Sequence, residues 1–203
     1  MLTFYHSPQT RSTRVLALIH AMGKLDEVEL KTVSIPRQDG GGGPDDSNPH
    51  PEKKVPLLVH NGELIRETPA IMVYLTDHFK SPLGRQVGET GRGEYLSWMA
   101  YYGGVVEPVL VGGFAGVGDN PVFQSTFRGM AEIEETLVRA LTGQDWLMTD
   151  GFTAVDLIMV SPFLWMPDAV PENELIRAWV KRCSEHPSMV WATEQDAKAL
   201  QSA

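Results

Sequence analysis

The sequence predicts an α/β half followed by an all-helical half, and three observations carry the prediction. Short apolar runs at residues 2–5, 28–33, 55–59 and 63–66 alternate with helical patterns at 14–22 and 69–79. Residues 80–93 then gather Pro82, Gly84, Gly88, Gly91 and Gly93, the composition of a linker. Beyond them apolar residues recur only at helical spacing, in Tyr95, Trp98, Met99, Tyr102 and Val106 and again in Phe123, Phe127, Met130, Ile133 and Leu137. The expected organisation is therefore an α/β domain over 1–79, a linker over 80–87 and a helical domain over 88–203.

The first run, Leu2 to Tyr5, leads into a loop that holds Ser7, Thr10 and Ser12 just before an amphipathic helix. Val15, Leu16 and Ile19 form the inward face of that helix, and any of the three hydroxyls suits its N-cap. After the second run come four consecutive glycines, Gly40 to Gly43. Their entropy cost excludes a regular element and predicts a flexible surface loop. They lack the strand-to-helix context and the Lys-Ser/Thr ending of a phosphate-binding loop.

At the third run a Val55-Pro56 pair opens the strand. Proline cannot donate to a ladder and is confined to strand starts, edges and bulges. A cis Val55-Pro56 bond would turn the Val55 backbone N–H and C=O toward a peptide-like ligand lying alongside. A turn follows at Asn61-Gly62. Glu67 and Thr68 then stand where a helix begins, because Pro69 fits its first turn and Ile71, Met72 and Leu75 repeat at helical spacing. Free N–H groups at Thr68 and Ala70 suit a carboxylate, and Glu67 beside them suits an ammonium. An α-amino-acid head group carries both charges.

In the helical half, Phe152-Thr153 precedes an almost wholly apolar segment with Asp156 three residues after Thr153. This is a capping box at the start of a core helix, and it makes Asp156 structural.

Composition narrows the function classes. Hydrophobic residues at 42% and charged residues at 21% are ordinary for a globular chain. The 17 basic and 26 acidic residues give a net charge of −9, which argues against nucleic acid or an anionic membrane as partner. The lone Cys183 excludes an internal disulfide and favours a reducing compartment. No apolar run approaches a membrane span, and the first residues read as a strand, so cytoplasmic placement is expected. The six histidines show no paired spacing, so no metal is expected, and no Ser-His-Asp arrangement is visible.

Asn48-Pro49, Lys54-Val55-Pro56-Leu57, Gly62, Leu64, Glu67-Thr68, Ala70-Ile71 and Tyr74-Leu75, in this order and spacing, resemble the glutathione-binding half of a cytosolic glutathione transferase, a thioredoxin-like domain. Thr3-Phe4-Tyr5, Ser7-Pro8-Gln9-Thr10-Arg11-Ser12 and Arg14-Val15 are similar to the family's first strand, active-site loop and first helix. Residues 152–156 are similar to the capped core helix of its second domain.

The resemblance implies glutathione as co-substrate, a homodimer, and attack of the glutathione thiolate on a small hydrophobic electrophile. Val55 and Pro56 would hold the cysteinyl backbone, Glu67 and Thr68 the γ-glutamyl end, and Lys54 or its neighbour Lys53 the glycyl carboxylate. A loop hydroxyl would contact the sulfur and favour the thiolate. Aligned on Leu16-Ala17-Leu18, the position is Thr10; aligned on Ser7-Pro8 it is Arg11 with Ser12 next to it; comparison with cysteine-bearing redox classes points to Ser7. Arg11 would supply positive charge to the thiolate. Met99, Tyr102 and Trp165 are the expected walls of the electrophile pocket. The loop contains no cysteine, which argues against disulfide exchange. A non-catalytic binding module and a glutathione-dependent isomerase or dehalogenase are the alternatives.

Overall fold

A computed structural model describes residues 1–201 of the 203-residue chain. They form two compact units, Met1–Phe79 joined by the segment from His186 onward, and Lys80–Glu185.

The first unit is built on a four-stranded mixed sheet of order β2-β1-β3-β4, with β1 at Leu2–His6, β2 at Glu29–Thr32, β3 at Leu57–His60 and β4 at Glu63–Ile65. β1 runs parallel to β2, pairing Thr3 with Glu29, and antiparallel to β3, pairing Tyr5 with Leu57. All five β1 residues are buried, the pattern of an interior strand covered on both faces. β3 starts at Leu57, two residues later than the sequence pattern suggests, because Pro56 has no N–H for the ladder. The β3–β4 hairpin turns at Asn61 and Gly62, both at positive φ (51° and 87°), as a two-residue turn of right-handed-twist type requires.

Helices α1 (Thr13–Ala21) and α2 (Thr68–His78) bury Val15, Leu16, Leu18, Ile19, Ile71, Met72 and Leu75 with Phe4, Leu57 and Leu58 of the sheet. The last helix, α9 (Pro187–Gln201), packs lengthwise on α1 and so completes this unit. The expected division had placed that segment in the helical domain; its contacts group it with the sheet instead. The glycine tract is a surface loop, as expected, and closes in a turn. Arg37 N–H donates to Gly41 O (3.0 Å), Asp39 caps Gly41 N–H (2.8 Å), and Ser34 Oγ accepts from Gly43 N–H (3.1 Å). Gly42 is required there: its φ is +67°, and a Cβ would lie 2.2 Å from Ile35 O.

The second unit contains α3 (Arg92–Tyr101), α4 (Glu107–Phe114), α5 (Pro121–Phe127), α6 (Met130–Leu141), α7 (Ala154–Trp165) and α8 (Glu174–Ser184). α3 and α4 are joined by a π-helical segment, Tyr102–Val106. Pro108 cannot bond back to the preceding turn, and widening the helix there accommodates it. The run from Phe123 to Leu137, continuous by periodicity, is cut at Arg128, whose φ is +65°, before α6 restarts with Glu132 accepting from Gly129 N–H (3.0 Å).

Around α7 the core closes on Asp156. Thr153 Oγ1 accepts from Val155 N–H (3.2 Å), and Asp156 Oδ2 accepts from Thr153 N–H (2.9 Å). Asp156 Oδ1 accepts from Leu147 N–H and from the indole N–H of Trp179, both at 3.0 Å. Burial pushes this carboxyl above the usual carboxylate range despite those bonds.

Candidate functional site

The loop between β1 and α1 is organised by hydroxyl groups. Ser12 Oγ lies 2.8 Å from His6 Nδ1 and 2.6 Å from Thr10 Oγ1, and it accepts from Ser7 N–H at 3.1 Å. Thr10 Oγ1 donates to Ser7 O (2.8 Å) and accepts from Ser12 N–H (3.1 Å). Ser7 and Ser12 are buried, Ser12 to 0% exposure, whereas Thr10 is half-buried and Arg11 is exposed. Of the three hydroxyls, Thr10 alone keeps open surface.

Two groups absent from the sequence reading hold this loop. Asp196, on α9 and 2% exposed, accepts from His6 Nε2 at 3.0 Å, from Gln9 N–H at 2.6 Å and from Thr13 Oγ1 at 2.6 Å. Burial alone would raise its pKa; the bonds from His6, Thr13 and Gln9 outweigh it and hold the carboxyl below the usual range. Gln9 takes φ +52° to aim its N–H at that carboxylate. Ser12, His6 and Asp196 thus form an array that the sequence does not reveal, because Asp196 lies 190 residues from His6. Arg37 is the second: its Nη2 donates to Pro8 O (2.8 Å) and reaches Ser7 Oγ at 3.4 Å, placing a cation against the loop.

The Val55-Pro56 bond is cis. Val55 is half-buried and precedes the paired part of β3, and Pro56 is buried. Behind them Asn48, fully buried, donates from Nδ2 to Lys54 O (3.1 Å) and accepts from His50 N–H (3.0 Å), which fixes the approach to Val55. Lys53 Nζ donates to Asn48 O (2.9 Å), and the exposed Lys54 lies 3.8 Å from Glu52.

Glu67 is the N-cap of α2 and is exposed, with φ +67° and ψ 124°. A non-glycine residue in that region costs of order 1–3 kcal/mol and is found where a ligand clamp or turn demands it. The first intrahelical bond of α2 runs from Ile71 N–H to Glu67 O (3.0 Å). Pro69 has no N–H, so the amides of Thr68 and Ala70 stand ahead of that bond at the positive end of the helix. Glu67, Thr68, Val55 and the hydroxyl loop all belong to the first unit.

The residues expected to wall an electrophile pocket belong to the second unit. Met99 and Tyr102 are buried in its core, while Trp165 is 56% exposed. Among the described residues no group of three or more His, Cys, Asp or Glu side chains stands close enough to hold a metal ion, and no helix is long and apolar enough to cross a membrane.

Residues 1–77 match the model of the glutathione S-transferase N-terminal domain, and residues 109–187 that of the glutathione S-transferase C-terminal domain. The chain belongs to the glutathione S-transferase family. None of the curated proteins matches the chain in sequence. Among solved structures, the chain is similar to a glutathione S-transferase from Actinobacillus pleuropneumoniae, with 23% identity over 97% of this chain and 93% of that one and a TM-score of 0.78. A glutathione transferase from Methylococcus capsulatus superposes with TM-score 0.74 at 20% identity, covering 97% of this chain and 99% of the other. A sphingomonad glutathione S-transferase solved in complex with glutathione gives 0.72 at 20%, over 96% and 98%. At these identities the likeness concerns the fold.

Proposed function

We propose that the protein is a glutathione transferase that joins the glutathione thiolate to a small hydrophobic electrophile. The observation that carries this reading is the pairing, within one unit, of the Val55-Pro56 entry to β3 with the Glu67-Thr68 helix start. The first offers backbone groups to the cysteinyl part of a peptide, and the second offers an anion site beside a carboxylate, as a γ-glutamyl head group needs. The relative solved with glutathione supports the same ligand class.

In the reaction the thiol loses its proton to solvent and the sulfur lone pair forms the new C–S bond. In a substitution the leaving group departs with the electron pair; in an addition the developing carbanion takes up a proton. Thr10, the one loop hydroxyl with open surface, donates to the sulfur and stabilises the thiolate. Lys54 or Lys53 meets the glycyl carboxylate, Arg11 adds positive charge, and Met99, Tyr102 and Trp165 contribute to the electrophile side. The protein works as a cytoplasmic homodimer, without a metal.

The closure of the loop hydroxyls on one another favours a second reading, a binding module that holds glutathione without turnover. Calorimetric titration with glutathione on the parent and on Glu67→Ala tests the site. Binding that the substitution weakens at least tenfold, about 1.4 kcal/mol, supports it; no binding by the parent overturns both readings. Turnover of a chromogenic electrophile by the parent separates enzyme from module.

A further inference from the structure

The array behind the loop hydroxyls has a direction. Asp196 is an acceptor on both oxygens: Oδ2 receives Gln9 N–H and Thr13 Oγ1–H, and Oδ1 faces His6 Nε2 at 3.0 Å. A carboxylate has no proton to give, so Nε2 carries one. In the neutral imidazole Nδ1 is then an acceptor. The hydroxyl at Nδ1 is Ser12 Oγ, at 2.8 Å; Ser7 O also lies within its reach, at 3.1 Å, and the shorter contact to the ring nitrogen, which has no other donor, takes its single proton. Ser12 Oγ also accepts from Ser7 N–H. The 2.6 Å contact between Ser12 Oγ and Thr10 Oγ1 can therefore be made only with the proton of Thr10, which has a second acceptor in Ser7 O at 2.8 Å. One proton stands between two neutral acceptors, on the one hydroxyl of the three that keeps exposed surface.

We infer that Asp196 and His6 are positioning residues of the sulfur-contacting loop: the carboxylate on α9 orients the imidazole, the imidazole takes the proton of Ser12, and Thr10 keeps the proton that rotates to a bound thiolate. The inference rests on the glutathione-transferase reading for its ligand. Rotation about the Cβ–Oγ bond suffices, with no backbone movement. A thiolate competes well with Ser7 O, because hydrogen bonds to an ionised acceptor are about twice as strong as neutral ones. Without Asp196 the imidazole is free to present Nδ1–H, Ser12 turns its proton toward Thr10 or Ser7 O, and the loop loses its single hydrogen-bond pattern. Serine, histidine and aspartate also make hydrolytic triads, but Ser12 has 0% exposure and no surface from which to attack a substrate.

The test has two arms on the full chain. Long-range 1H–15N NMR at neutral pH reads the tautomer of His6, assigned by its loss in His6→Gln. The expected result is a neutral ring protonated at Nε2 in the parent, inverted to Nδ1–H in Asp196→Asn, whose amide presents a donor to Nε2. An Nδ1–H or doubly protonated ring in the parent overturns the relay, and this spectrum decides even where the variant does not fold. The second arm titrates the ultraviolet absorbance of the glutathione thiolate in the complex. Asp196→Asn is expected to raise the apparent pKa of the bound thiol by about one unit, a tenfold loss of thiolate. Its glutathione Kd should change by less than about threefold, under half of a tenfold step in free energy. Thr10→Val should reproduce the shift and Thr10→Ser should restore the parent value. An unchanged thiol pKa in Asp196→Asn, or affinity and thiolate lost in equal proportion, overturns the positioning role. Failure of the parent to bind glutathione sinks the functional reading and the thiolate role of Thr10 with it, while the tautomer still decides whether the relay exists.

Discussion

The indole N–H of Trp179 donates to Asp156 Oδ1 at 3.0 Å, with both side chains at 0% exposure. The bond joins α7 to α8 through a carboxylate that also caps α7 and takes Leu147 N–H. Asp156→Ala strands three buried donors at once. Each costs about 1–3 kcal/mol when left unpaired, so chemical denaturation should show a loss of about 3–5 kcal/mol, within the range for breaking a buried network. A loss below about 1 kcal/mol, the scale of an ordinary point substitution, would refute the assignment.

Glu67 holds its φ at +67°. Glycine reaches that region without a Cβ penalty but loses more entropy on folding. Glu67→Gly should therefore leave the midpoint of thermal unfolding equal to or above that of the parent while glutathione affinity falls at least tenfold, about 1.4 kcal/mol. Destabilisation by more than about 1 kcal/mol, the upper end of glycine's entropic cost, would show that the conformation is unstrained.

Gly112 on α4 lies under the ring of Phe123, and a Cβ built there falls 2.2 Å from the ring tip. Gly112→Ala should cost about 1–3 kcal/mol, as overpacking does. Phe123→Leu should relieve part of it. A double-mutant cycle measures the coupling, and additivity within about 0.5 kcal/mol would deny the contact.

Asp196 links stability to acid. Burial raises its pKa, but the bonds from His6, Thr13 and Gln9 leave it below the ordinary value. A carboxyl depressed on folding contributes stability that is complete above its unfolded pKa, about 3.9, and is lost as the pH falls through the folded value. The difference in urea midpoint between the parent and Asp196→Asn should be constant above about pH 5 and shrink toward pH 2. A gap that does not change with pH would mean that the carboxylate charge contributes nothing.

Cys183 is buried on α8. Burial, then the neighbouring Asp156, pushes its thiol far above the usual range. A disulfide reagent should find no reactive thiol in the native protein and one after denaturation. Rapid labelling of the native chain would contradict the buried position.

Local chemistry made much of this legible. The Thr153–Asp156 cap, the Asn61-Gly62 turn and the Glu67-Thr68 helix start each involve a few consecutive residues whose types state their backbone need. Asp196 was hidden because its partners sit at the other end of the chain. Its trace is an acid on an apolar stripe, following Met189 and Ala192 at helical spacing. Arg37 left no trace, since one cation in a glycine- and proline-rich loop has no spacing that ties it to Ser7 and Pro8. The bonds within the glycine tract were hidden for a different reason: backbone entropy argues for looseness and gives no hint that Ser34 and Asp39 close the turn.

Because α9 completes the sheet-bearing unit, residues made well before it are among the last to be fully enclosed. At about 5–20 residues per second, the 190 positions between His6 and Asp196 correspond to roughly 10–40 s of translation. During that interval the nascent sheet and α1 lack their covering helix, and the loop carrying Ser7, Thr10 and Ser12 has no carboxylate to order it. The helical unit, by contrast, closes its contacts within Lys80–Glu185 and needs nothing made after Glu185. Released chains truncated before Pro187 would therefore display a folded later half and an unsealed earlier one, the reverse of the order in which the two are made.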